Sequence, residues 1–215
     1  MKTPRGVTLI ELAVVVAVMG VLATLAYSNL ARQRPRANLA SATVELHALL
    51  RNARQNALST GRDTAVMVFP QQHNDLGGTG SVVAYEDTTH TLFGGTPPNF
   101  SSFDPHQLAA ADNLLGKLDL PNGITVGLGG AAPPTLTAPY SGITAGACSF
   151  CAGSGDLRGA VVFDPKGRAS FHSGTGAALD VFGGTVGLQG TPDVNGYRLL
   201  IITSATGSVR VVNDG

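Results

Sequence analysis

Residues 1–30 read MKTPRGVTLIELAVVVAVMGVLATLAYSNL, and the rest of the chain is organised around this stretch. Lys2 and Arg5 stand before Gly6, and an almost unbroken apolar run follows with one charge in it, Glu11. As a helix, residues 7–30 are long enough to cross a hydrocarbon core, which takes roughly 20 residues. A carboxylate in such a segment costs roughly 2.5–3.5 kcal/mol even on a lenient insertion scale, so it usually has a purpose and a partner. Glu11 lies one helical turn beyond Val7. A cut after Gly6 would give Val7 a new ammonium, and cation and carboxylate on one element could pair head to tail between neighbouring molecules.

Three plainer readings compete. Thr8-Leu9-Ile10-Glu11 fits the S/T-x-x-E capping box, in which Glu11 serves backbone donors at a helix start. A secretory signal would place its cut after Ala26, with Thr24 and Ala26 as the small flanking residues, but a carboxylate is out of place in its apolar region. A plain membrane anchor is the third. None of the three accounts for Gly6, the first-turn Glu11 and the helical pattern beyond Leu30 together.

At these residues the chain closely resembles the type IV prepilin leader. The resemblance implies that a membrane prepilin peptidase cuts after Gly6 and that the new N-terminus, Val7, is methylated. It further implies that Glu11 pairs with a neighbouring subunit's N-terminal amine during filament assembly. The mature start Val7-Thr8-Leu9-Ile10-Glu11-Leu12 departs from the family in having Val7 where Phe is usual.

Past the apolar stretch, Arg32, Arg34 and Arg36 run against the positive-inside rule for a head on the outer side. Pro35 removes one helical hydrogen bond and predicts a kink nearby. From 38 to 58, Leu39, Ala42, Leu46, Leu49, Leu50, Ala53 and Ala57 recur at helical spacing, with Arg51, Arg54 and Gln55 on the other side. Gly61 is placed to end the helix. A continuous helix over 7–59 would be about 80 Å long. Residues 63–69 then read as a strand. Ala53-Arg54, Ala57 and Gly61-Arg62, followed by that strand, resemble the GspH/FimT-type minor pilins and pseudopilins.

The span 70–157 is opaque, with strand candidates at 81–85 and 124–128, a helical candidate at 105–117, and Gly/Pro/Thr-rich loops between them. From Arg158 the pattern sharpens into strands at 159–163 and 168–172, a Gly-rich loop, and strands at 197–203 and 208–212. Phe163, Pro165 and Gly167 resemble the FxPxG turn of the same family, and Gly207 its last turn.

The chain has 215 residues with 14 basic and 14 acidic side chains. Removing Lys2 and Arg5 leaves 12 basic against 14 acidic, a balance of −2. Beyond Arg36 there are 9 basic against 13 acidic, or −4, whereas a dedicated nucleic-acid binder normally shows a basic surplus. The 28 glycines suit a β-rich head with many tight turns. Cys148 and Cys151 have redox spacing without a βαβ context, and Ala152 excludes covalent haem attachment. They make half a zinc site at most, so a small disulfide pinning a loop is the expected state in an oxidising compartment. Neither G-x-S-x-G nor H-E-x-x-H is present. His172 and Ser173, adjacent on a strand, point to opposite faces. Asp193-Val194-Asn195-Gly196 lacks the ligand spacing of a calcium loop and reads as a turn.

The expected fold is therefore α+β: a leader (1–6), a membrane-spanning or filament-core helix (7–30), its amphipathic continuation (31–60), and an antiparallel β-rich head (61–215) packed on it, with a variable insert at about 70–157. The expected role is structural and not enzymatic, without cofactor or metal. The resemblance implies a minor subunit of a type IV pilus or a type II secretion pseudopilus, in a tip or assembly-priming complex. Its partners would be other major and minor pilins or pseudopilins, the prepilin peptidase, and the inner membrane before assembly, with the head in the periplasm. The alternative is a surface DNA- or ligand-binding pilin of the competence type, which the acidic head disfavours.

The Gly6–Val7 cut is directly testable. Mass spectrometry of the protein from its native envelope is expected to find Val7 as the N-terminus, carrying a methyl group. A chain starting at Tyr27 would establish the secretory-signal reading instead.

Overall fold

Helix α1 runs from Leu9 to Thr60, 52 residues without interruption, and passes through Pro35. The computed structural model describes residues 9–88, 92–93, 99–105, 113–153, 156–191 and 196–213, with the side chains of 25–33 outside that set. At the C-terminal end of α1, Gly61 adopts φ 70° and its N–H donates to the Ala57 carbonyl at 3.1 Å. This left-handed cap satisfies a carbonyl that the helix leaves unpaired. Just inside the cap, the Asn56 amide donates to Thr64 Oγ1 at 3.2 Å and to Glu86 Oε2 at 3.4 Å. Arg62 reaches the other oxygen of Glu86 at 3.1 Å, so the end of α1 is clipped to the first two strands.

Among the described residues ten strands follow, all antiparallel. They are β1 (Thr64–His73), β2 (Thr79–Glu86), β3 (Asn113–Asp119), β4 (Ile124–Val126), β5 (Gly159–Phe163), β6 (Ala169–His172), β7 (Ala178–Leu179), β8 (Gly183–Gly190), β9 (Tyr197–Thr203) and β10 (Val209–Asn213). One sheet has the order β3-β2-β1-β5-β6-β7 and the other β10-β9-β8-β4. The main core takes Leu39, Ala42, Leu46, Leu50, Ala53 and Ala57 from α1, together with Val66, Val161 and Phe163 of the larger sheet and Val186, Leu200 and Ile202 of the smaller one. Both sheets thus bury their inner faces on one side of one helix.

The outer faces are also covered. In β1, Val66 and Val68 face the main core, while Ala65, Met67 and Phe69 face away from it, as strand alternation requires. That second face is closed by Phe100, with Phe93 and Phe103 packed beside it. Arg158 holds this cover down. Its guanidinium donates to the Phe100 and Phe103 carbonyls at 3.1 and 2.7 Å, lies over the Phe69 ring and pairs with Asp156. On the smaller sheet, Leu199 and Ile201 of β9 pack against Leu128 and Ile143 from the segment after β4. The span that is opaque in sequence therefore supplies the lids of both sheets.

Two expectations fail here. The helical candidate at 105–117 is not a helix where it is described: Asn113–Asp119 is strand β3, paired with β2, and 106–112 lie outside the described residues. Leu118 enters the main core while Lys117 beside it pairs with Asp75 and Asp119, both at 3.0 Å. That alternation is the strand period, and pairing with β2 overrides local propensity. The expected Gly-rich loop before Tyr197 contains β8. Its glycines admit neighbours rather than bends: a Cβ on Gly184 would lie 2.7 Å from the Phe150 ring, and one on Gly187 would lie 2.6 Å from Leu128. The strand expected at 124–128 is shorter, Ile124–Val126, and that expected at 63–69 is longer, because β1 continues through Pro70 to His73. Pro70 falls where the pairing with β2 shifts register, a position that tolerates the missing N–H.

His172 on β6 is buried, with Nδ1 3.0 Å from the Gly176 carbonyl and its ring against Phe93. Burial pushes its pKa below the usual 6.5, and the bond to Gly176 only partly offsets this. Below about pH 6.5 the unfolded chain therefore takes up a proton that the folded chain resists, and stability falls with pH. Denaturant titrations from about pH 8 to about pH 5 are expected to show that decline. His172→Gln should flatten it. A variant with an unchanged slope would remove His172 from the explanation. Asp164 titrates in a lower window: burial pushes its carboxyl up, but bonds from Arg168 and Lys166 outweigh burial and hold it below the usual carboxylate range.

Candidate functional site

Helix α1 has two halves with different surroundings. Every side chain described from Leu9 to Thr24 is exposed, including Leu9 at 87%, Ile10 at 72% and Met19 at 64%. No described part of the head covers them. A continuous apolar surface of this kind marks a contact with lipid or another protein, and each such side chain gains roughly 1.5–3 kcal/mol on leaving water. Glu11, in the first turn, is the one charged residue between Leu9 and Thr24. Among the described residues no helix is long and apolar enough to cross a membrane. The apolar stretch with described side chains stops at Thr24, short of the roughly 20 residues a span needs, and its continuation in sequence falls on side chains outside the described set. Gly6 and Val7, the expected cleavage and methylation site, also lie outside the described residues.

From Leu39 onward the same helix has one buried face. Arg54, expected on the solvent side, is instead half-buried, and its Nε donates to the Gly167 carbonyl at 3.1 Å. Gly167 sits in the β5–β6 turn at φ 75°, and Gly207 in the β9–β10 turn at φ 58°. The two turns touch. A Cβ on Gly207 would collide with the Gly167 carbonyl oxygen and come within 3.2 Å of Arg54. The structure thus brings together Arg54, Gly167 and Gly207, residues up to 153 positions apart in the sequence. Beside this junction, His47, Arg51, Arg54, Gln55 and Leu58 face Gly207-Ser208-Val209 across a groove of about 460 Å³.

Cys148 and Cys151 form a disulfide, with Cα atoms 5.3 Å apart. It closes a turn that runs beside β8, where Ser149 N–H donates to the Thr185 carbonyl at 3.0 Å and Phe150 enters the main core against Phe171. The disulfide is remote in sequence from the exposed half of α1, and its surroundings are structural. Among the described residues no group of three or more His, Cys, Asp or Glu side chains could hold a metal ion. Asp193, Val194 and Asn195 lie outside the described residues.

The groove and the role of Arg54 were not read from sequence. The one signal sequence offered for Arg54 was its place directly after Ala53 and three residues before Ala57 of the buried stripe.

Residues 1–27 match the family model described as the prokaryotic N-terminal methylation motif. No curated protein and no solved structure compared with the chain matches it. The chain carries a type IV pilin-like N-terminal signal.

The junction makes a quantitative prediction. Gly207→Ala forces a side chain into a positive-φ position and against backbone, which should cost more than the roughly 1 kcal/mol of an exposed helical substitution. Arg54→Ala should cost roughly 0.5–1.5 kcal/mol for its lost hydrogen bond. Thermal unfolding of each variant would check both. A Gly207→Ala protein as stable as the parent would show that the two turns are not pressed together.

Proposed function

We propose that this type IV pilin-like chain is a structural minor subunit, of the GspH/FimT type, in a type IV pilus or a type II secretion pseudopilus, with no catalytic role. The observation that carries this reading is the first half of α1: apolar on every described side, uncovered by any described part of the head, and bearing one carboxylate in its first turn, within the stretch that matches an N-terminal methylation motif. Before assembly the apolar segment continues through residue 30, spans the inner membrane and leaves the head in the periplasm. Prepilin peptidase cuts between Gly6 and Val7, and the Val7 amine is methylated.

The helix then leaves lipid for the core of a filament, where the same apolar surface is buried against helices of other pilins or pseudopilins. In that core a lone ammonium or a lone carboxylate would oppose burial, and pairing Glu11 with a neighbour's N-terminus removes both penalties together. Contacts with other minor subunits, at a tip or assembly-priming complex, follow from the family resemblance. The competence-type reading, a pilin that binds DNA or another ligand, ranks second because the head carries a balance of −4.

Glu11 distinguishes assembly from local capping. Gln also serves in a capping box, so Glu11→Gln should leave membrane level and leader cleavage intact. In the filament core the substitution strands a cation, a loss of several kcal/mol. The variant should therefore be depleted from sheared filaments. Incorporation at the parent's level would reduce Glu11 to a cap and remove charge pairing from the mechanism.

A further inference from the structure

The four-stranded sheet ends on β10, which among the described residues pairs with β9 alone. The Thr203 N–H donates to the Ser208 carbonyl at 3.1 Å, which fixes the parity of this ladder. Residues 208, 210 and 212 bond inward to β9, and Val209, Val211 and Asn213 direct their N–H and C=O groups outward. The remaining edges are blunted in ways that proteins use against unwanted pairing. β7 has two residues and β4 three, and β3 carries Lys117 locked between Asp75 and Asp119. β10 has five residues, three of them valine, and no proline.

The start of this open edge lies across the groove from α1. Among the described residues the groove is lined by Arg51 and Arg54 and by no carboxylate, although the head as a whole is acidic. Arg210, next along β10, lies on the opposite face of the sheet, exposed and over the Tyr140 ring at 5.9 Å. Exposed Leu58 supplies an apolar wall. A strand added to β10 would lie about 4.8 Å from it. Its side chains would alternate between the two faces of the sheet, which suits a segment alternating acidic and apolar residues.

We infer that the groove between α1 and β10 receives an extended acidic segment of another protein chain, added as a further strand to the edge of the four-stranded sheet. This deepens the filament reading by giving the chemistry of a partner subunit. The backbone edge supplies the hydrogen bonds of a ladder. The arginines select carboxylates, raise the rate of encounter and make binding salt-sensitive.

The test uses the full chain in detergent micelles and a labelled synthetic peptide of alternating Glu and Val, with binding followed by fluorescence anisotropy. The peptide is expected to bind saturably and to slow amide exchange at Val209, Val211 and Asn213. The same peptide with alternate backbone nitrogens methylated keeps its charge but cannot complete a ladder, and it should lose binding. Arg51→Glu, at an exposed position outside the Arg54 junction, should weaken binding roughly fivefold or more, as reversal of a surface charge pair allows. Equal binding of the methylated peptide would overturn strand addition. Absence of peptide binding, or binding of a DNA duplex with the same Arg51 dependence in its place, would overturn the partner's chemistry. Peptide binding is measured on the chain alone, so its failure leaves the filament reading standing. A subunit that stays out of filaments can likewise still bind the peptide.

Discussion

One helix has to satisfy two environments, and the rest of the structure follows from that constraint. At 52 residues α1 is about 78 Å long, more than a head of this size can cover. The head takes the half from Leu39 onward and leaves the half from Leu9 to Thr24 bare. The covered half combines large and small side chains: Leu39, Leu46 and Leu50 reach into the core, while Ala42, Ala53 and Ala57 let strands approach closely. Because both sheets pack on this stripe, the helix is part of the head's core and not an attachment to it. A head cut away from residues 39–60 would lose the surface on which its two sheets meet.

The stripe was legible for a simple reason: a helix buried on one side writes its period into the sequence, and each expected residue except half-buried Leu49 is fully buried. Gly61 was legible as a stop, and the two C-terminal hairpins by their turns. The middle of the chain was not, because its strands do not look like strands. β3 holds a Leu-rich segment at an edge, with Leu114 and Leu115 exposed, and that pattern is as easily helical. β8 is half glycine, and its glycines answer to Phe150, Phe171 and Leu128, neighbours that are distant in sequence. Local patterning carries no trace of a contact whose partner lies tens of residues away.

The same limit separates the two parts of the candidate site. The exposed segment with Glu11 is a local feature, a charge inside an apolar run, and sequence states it completely. The junction of Arg54, Gly167 and Gly207 is a tertiary feature. Its members were noticed singly, by likeness to motifs of a family, but nothing in the sequence places a helix arginine against a turn 113 residues later. Lids behave in the same way. Arg158 looks like one more charged residue before a strand, yet it holds the Phe100 and Phe103 carbonyls and so fixes how the larger sheet is covered.

The junction also explains why an open sheet edge could be useful here and not merely hazardous. An edge offers specificity only if its position relative to a second surface is fixed, since ladder bonds alone accept any extended chain. Gly207 closes the turn into β10, and it is pressed against Gly167, whose carbonyl is held by Arg54 of α1. The start of β10 is thereby set at a defined distance from the helix face that carries Arg51 and Leu58. The helix whose first half lies bare thus also positions, on its covered half, the edge of β10 and Arg51 beside it. Orientation of the head about α1 and the register of that edge are consequently one degree of freedom, fixed by two glycines and an arginine.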